Sequence, residues 1–137
     1  MAHYLLVTGK DHELSDLVKK AFIDSELDVV RATTVSLALF LAQKNLPLLT
    51  ISEPSLLDGD VRVFLQEMRA DSELATIPFV VVCDQTVTDE ERAKLSQAGA
   101  DKVISKSLAI HEFRKELAML IRPSTRQRTL KDDESTE

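Results

Sequence analysis

A chain of 137 residues is long enough for one domain with a single core and too short for two domains of ordinary size. Its formal charge of −6 works against non-specific attraction to nucleic acid or anionic lipid, so a protein is the expected partner. A lone cysteine, Cys83, excludes an internal disulfide; no apolar run approaches the roughly 18 residues of a membrane span, and Met1 to Tyr4 lack the basic start of a secretion signal, so no membrane role and a cytoplasmic location are expected.

Along the chain, apolar runs of strand length alternate with segments of helical period, the pattern of a parallel sheet covered by helices. Tyr4 to Val7 predicts a first strand, and Asp11 is placed to cap a helix with the stripe Leu14, Leu17, Val18 and Phe22. Asp28 to Ala32 predicts the second strand. Thr33 or Thr34 then caps a helix to about Lys44, and Leu46 to Ser52 is an apolar central strand with Pro47 ahead of its interior. Asp58, Gly59 and Asp60 form a turn in which Asp60 caps the third helix. That helix buries Val61, Phe64, Leu65 and Met68, at i, i+3, i+4 and i+7.

Ile77 and Pro78 lead into Phe79 to Cys83, a continuous apolar run suited to a strand covered on both faces. Thr88 with Glu91 is a capping box for the fourth helix and Gly99 its stop. Lys102 to Ser105 predicts a short edge strand, and a last helix buries Ile110, Phe113, Leu117 and Leu120. Residues 1–121 therefore make one domain. From Arg122 to Glu137 the chain is polar, contains Pro123 and has no apolar period, so 122–137 is expected to be a flexible tail or linker.

Several short motifs recur in a familiar order. The run Ala98, Gly99, Ala100, Asp101 leads through a short strand to Lys106; Pro47 to Glu53 is similar to a "PDLVLLD" strand; Ser55 to Asp60 is similar to an "SLPDGD" loop; and Met68 with Arg69 falls where "LR" is usual. Together, from about Tyr4 to Ile121, they resemble a response-regulator receiver (CheY-like) domain. The resemblance implies an α/β, flavodoxin-like, doubly wound (βα)5 sandwich with a five-stranded parallel sheet of order 2-1-3-4-5.

The resemblance also assigns positions. Glu53 stands at the phosphoacceptor aspartate; Thr8 and Gly9 stand where an acidic pair helps hold magnesium; Cys83 replaces a Ser or Thr; Val103 takes the place of a rotating aromatic; Lys106 matches the lysine that contacts the phosphoryl group. Magnesium enters such sites through carboxylates and phosphate oxygens, and Thr8 and Gly9 supply no charge. Asp11 could compensate only if the loop shifts by one residue. Glu53 has two readings: its longer side chain reaches toward the phosphate space and holds an activated-like state, or it pairs with Lys106 so that neither charge is left alone. The second is favoured, because Cys83 is a poor hydrogen-bond donor and Val103 is not aromatic.

Cys83 near Lys106 also suggests a redox sensor, against which stands its ordinary use as a small buried hydrophobe. His3, His12 and His111 are dispersed and lack metal-ligand spacing, so neither a metal nor another cofactor is expected. The function expected is therefore a pseudo-receiver: a phosphorylation-independent interaction module in bacterial two-component signalling, with no enzymatic activity. A response regulator with a degraded site is the alternative, and an enzyme on a flavodoxin-like sheet a third reading. The candidate partner surface, implied by the family, carries Glu91, Arg92 and Lys94 on the fourth helix and Arg114 and Lys115 on the fifth. The signalling partner is not specified by the sequence, and a homodimer is left open.

Overall fold

The βα repeat read from the sequence folds into one parallel sheet with helices on both faces. The structure, a computed structural model, describes residues 3–84 and 88–121. The elements run β1 (Tyr4–Thr8), α1 (Glu13–Ala21), β2 (Asp28–Ala32), α2 (Val35–Lys44), β3 (Leu49–Ser52), β4 (Ser55–Leu56), β5 (Gly59–Asp60) and α3 (Val61–Ala70). A single 3-10 turn (Leu74–Thr76) precedes β6 (Phe79–Cys83), α4 (Asp89–Ala98) and β7 (Lys102–Ser105), and a last helix, α5, spans 110–121. The sheet order is β2-β1-β3-β6-β7, all parallel, which is the predicted 2-1-3-4-5 once the small antiparallel hairpin β4–β5 is set aside. The stretch expected as a tail, 122–137, lies outside the described residues.

Strand alternation divides the core in two. On one face Leu6, Phe79, Val81 and Val103 pack with Ala38 and Ala42 of α2 and with Phe64, Leu65 and Met68 of α3; on the other Leu5, Val7, Ile51 and Val80 pack with Leu14 and Val18 of α1 and Phe113 and Leu117 of α5. Phe64 meets Phe79 edge-to-face at a centroid distance of 5.2 Å. Ile110 departs from expectation. It is 38% exposed, because the helix begins there and the first side chain of its stripe to reach the sheet is Phe113.

The caps explain where helices begin. Thr34 Oγ1 accepts from the Leu37 N–H (3.0 Å), Asp60 Oδ1 from Arg62 (2.7 Å) and Thr88 Oγ1 from Glu91 (3.1 Å). Asp11 does not cap α1: His12 holds that position, and the Asp11 carboxylate, one residue ahead of it, accepts from the Glu13 N–H (2.9 Å). β3 starts at Leu49 rather than Leu46, so Pro47 stands outside the ladder. At the end of α4, Gly99 has φ +121°, and the Ala100 N–H returns to the Leu95 carbonyl (3.0 Å), a glycine stop of the expected kind.

Candidate functional site

Parallel strands place their C-terminal ends together, and five of the positions singled out in the sequence, Thr8, Gly9, Glu53, Cys83 and Lys106, meet there. Thr8 ends β1 opposite Ser52 of β3, and the Glu53 N–H donates to the Thr8 carbonyl (2.9 Å), which holds Glu53 one residue past the central strand. Just after β7, the Lys106 N–H donates to the Cys83 carbonyl (2.8 Å) and so fixes the lysine beside the end of β6. Its side chain then reaches back across the sheet edge to Glu53.

Lys106 Nζ lies 2.7 Å from Glu53 Oε2, 2.7 Å from Glu13 Oε1 and 3.0 Å from Asp84 Oδ1. The Lys106 and Glu53 side chains are only 12% and 15% exposed, whereas Glu13 and Asp84 project largely into solvent. Burial by itself favours the neutral amine, but the hydrogen bonds that the ammonium donates to Glu13, Glu53 and Asp84 outweigh it and hold the Lys106 pKa above its usual value. The ammonium is therefore permanently charged at neutral pH. The pairing of Glu53 with Lys106 was legible in the sequence; the contributions of Glu13 and Asp84 were not. Those two residues read as ordinary surface acids on α1 and after β6, and only the fold brings them together.

The other oxygen of Glu53 accepts from the Lys10 N–H (3.2 Å). It lies in space that any side chain on residue 9 would need, since a Cβ built on Gly9 falls 2.3 Å from Oε1. Thr8 is fully buried and its hydroxyl has no partner among the described residues. One oxygen of Asp11 is engaged with the start of α1, where it accepts from the Glu13 N–H.

The divalent ion of receiver sites does not fit these residues. The positions that the resemblance assigns to an acidic pair hold an uncharged, enclosed threonine and a glycine, the Glu53 carboxylate is committed to Lys106 and Lys10, and a lysine ammonium lies among the carboxylates that converge. Among the described residues no group of three His, Cys, Asp or Glu side chains is arranged to hold a metal. His12 pairs instead with Asp16 (2.9 Å) and His111 with its neighbour Glu112 (3.5 Å).

Cys83 is half-buried at the end of β6. Burial, with the charges of Glu91 and Asp84, pushes its thiol pKa up, the direction opposite to that of a reactive thiolate. The redox reading loses its electrostatic basis, because Lys106 is spent on carboxylates. Val103 is buried in the core between the sheet and α4.

The candidate partner surface divides. Glu91 belongs to the cap of α4, Lys94 pairs with Glu90 (3.4 Å), and Arg92 donates to the Val103 carbonyl (2.5 Å), pinning α4 to β7. Lys102 and Glu116 link β7 to α5 (3.2 Å). Arg114 faces the opposite way. Its guanidinium meets Asp24 (2.6 Å) and lies over the Phe22 ring, which places it against the end of α1, and the same contact holds the Asp24 carboxyl below the usual range. Lys115 is exposed.

No family model matches this sequence, and comparison with curated proteins gives no match. Solved structures do match. The Vibrio cholerae chemotaxis protein CheY4 superposes with a TM-score of 0.77 at 19% identity, over 88% of this chain and 99% of that one. The HemR receiver domain of Leptospira biflexa gives 0.73 at 24% identity, over 87% and 94%, and the receiver domain of the Francisella response regulator 1452 gives 0.76 at 19%, over 89% and 98%. The chain has the receiver fold. Within that fold, the strand-end site of this chain is an ion-pair centre built around Lys106.

Proposed function

We propose that this chain is a signalling module on the receiver fold that binds a protein partner in the cytoplasm without being phosphorylated, and that it is not an enzyme. One arrangement carries the reading: the Lys106 ammonium, held by Glu53, Glu13 and Asp84, supplies from within the positive charge that a receiver draws from a bound metal. A phosphodonor approaching Glu53 meets the carboxylates of Glu13 and Asp84, and the ammonium beside it is already shared among three carboxylates, so transfer lacks the electrostatic stabilisation it requires. The two-sided core and the caps at Thr34, Asp60 and Thr88 are nonetheless kept, which supports retention of a shape rather than a reaction.

The face formed by α4, β7 and α5 is the proposed contact for the partner, with Glu91, Lys94 and Lys115 as exposed contributors. Arg92 acts there by holding α4, and Arg114 belongs to the α1 side. The test is addition of acetyl phosphate or beryllofluoride with magnesium to the full chain, read by amide chemical shifts. No saturable change is expected. Saturable shifts around Glu53, Asp11 and Lys106 at modest magnesium concentration overturn the reading in favour of a response regulator with a degraded but working site.

A further inference from the structure

Helix α2 has no polar face in its middle. From Leu37 to Ala42 it reads Leu, Ala, Leu, Phe, Leu, Ala, and a helix apolar on all sides normally lies within a core. Val35, Ala38 and Ala42 do face the sheet, but Phe40 is 55% and Leu37 42% exposed. Leu37, Phe40, Leu41 and Lys44 stand at i, i+3, i+4 and i+7, so they form one stripe. Leu41 continues it into a mainly apolar hollow with Tyr4 and Val30 beside the sheet edge, where Asp28, Lys44 and Asn45 form the polar margin, and the exposed Leu57, whose N–H donates to the Thr33 carbonyl, extends it at the start of the helix.

The charges at the two ends of this stripe are opposite. At the C-terminal end Lys44 Nζ lies 5.5 Å from the centroid of the Phe40 ring. At the N-terminal end the exposed Asp58 carboxylate accepts from the Val35 N–H (2.6 Å) and from the Ser36 N–H and hydroxyl (3.2 Å each). About 14 Å of helix separates the two ends.

We infer that α2 is an isologous dimer interface, on which a second copy of this chain packs its own α2 in antiparallel orientation about a two-fold axis. That orientation lays each apolar stripe on the other, opposes the helix dipoles, and sets Lys44 of each protomer beside Asp58 of its partner, so one complementary pair is made twice. A second copy fits better than an unrelated acidic or basic partner, because the stripe presents both signs at the spacing its own reversal requires. The helix itself carries no acidic residue, so the net charge of −6 on each chain is carried elsewhere than on the apolar stripe. This inference stands apart from the phosphorylation reading: an α2 dimer is compatible with either outcome of the phosphodonor experiment.

Sedimentation velocity of the full chain from micromolar to millimolar concentration tests it. A reversible monomer–dimer equilibrium is expected, lost in Phe40→Asp and unchanged in Lys20→Glu, a reversal of an exposed charge on α1 at the other face of the sheet. Asp58→Asn keeps an oxygen to cap α2 while removing the charge, and Lys44→Glu reverses the other; each is expected to raise the dimer dissociation constant about tenfold. A wild-type chain that stays monomeric throughout overturns the inference, as does a dimer indifferent to Phe40→Asp. So do nuclear Overhauser contacts in a monomer between α2 and residues 122–137, which would make the chain's own terminus the occupant.

Discussion

Gly9 leaves the space that the Glu53 carboxylate fills: a Cβ on residue 9 would lie 2.3 Å from Oε1 and 3.0 Å from the carboxyl carbon. Two of the departures from the receiver pattern are thus one steric event. An acid one methylene longer than aspartate reaches further over the end of β1, and only a glycine there lets it keep its hold on the Lys10 N–H and Lys106.

Gly9→Ala should therefore destabilise the protein by about 1–2 kcal/mol, because the carboxylate must leave at least one partner to admit a methyl group. In a Glu53→Ala background the same change should be nearly neutral. Urea unfolding of the two single variants and the double variant reads the coupling directly, and equal costs of Gly9→Ala in both backgrounds would show that the two residues are independent.

Lys106 is the cation that makes three converging carboxylates tolerable. Lys106→Met should cost about 2–3 kcal/mol at neutral pH, chiefly because Glu53 is left nearly enclosed without a counter-charge, while Glu13 and Asp84 can turn to water. Adding Glu53→Gln should recover much of that loss. In the wild type the folded-state pKa of Lys106 is raised above its unfolded value, so the stability it contributes is fully present below about 10.5 and lost only as pH rises through the folded value. Denaturation between about pH 6 and 9 should accordingly show no loss traceable to this group.

Thr50 sits in the middle of β3, fully buried, facing the same side of the sheet as Leu6 and Phe79, and its hydroxyl has no partner among the described residues. Valine has nearly the same shape without the polar atom, so Thr50→Val should leave the fold intact and stabilise it by about 1 kcal/mol. Thr8→Val should act in the same direction. A marked loss of stability in either variant, read by thermal unfolding, would mean that an ordered water satisfies the hydroxyl.

Local pattern carried most of the fold. The alternation of runs located β2 at Asp28–Ala32, the 3.6-residue period identified all four buried positions of α3, and the side-chain caps Thr34, Asp60 and Thr88 stood where short polar residues precede apolar stripes. What the sequence hid were contacts between distant segments. Asp58 reads as a turn residue, yet it caps α2 from 23 residues away. Arg69 reads as a surface arginine at the end of α3, yet its guanidinium donates to the Gly99, Ala75 and Ile77 carbonyls and to Asp101. At the site, Glu13 and Asp84 were invisible for the same reason, and Arg114 was assigned to the α4 side because residue spacing does not say toward which neighbour a helix turns.

Helix α4 differs from the others in how it is held. It buries no residue completely; Leu95 and Ala98 are only partly packed, and the hydrogen bond from Arg92 to the Val103 carbonyl is its polar anchor to the sheet. An element with so little apolar contact opens locally at a free energy well below that of global unfolding. Arg92→Ala should therefore raise amide hydrogen exchange in Asp89–Ala98 by about tenfold or more while leaving α3 and β6 protected, since the anchor removed belongs to α4 alone. Arg92→Lys should rescue only in part, because an ammonium lacks the planar fork that reaches the carbonyl. If exchange rises equally across α3, β6 and α4, Arg92 supports the whole domain rather than this helix; if it does not rise, packing of Leu95 alone holds α4 in place, and the face proposed for the partner is more rigid than its sparse contacts indicate.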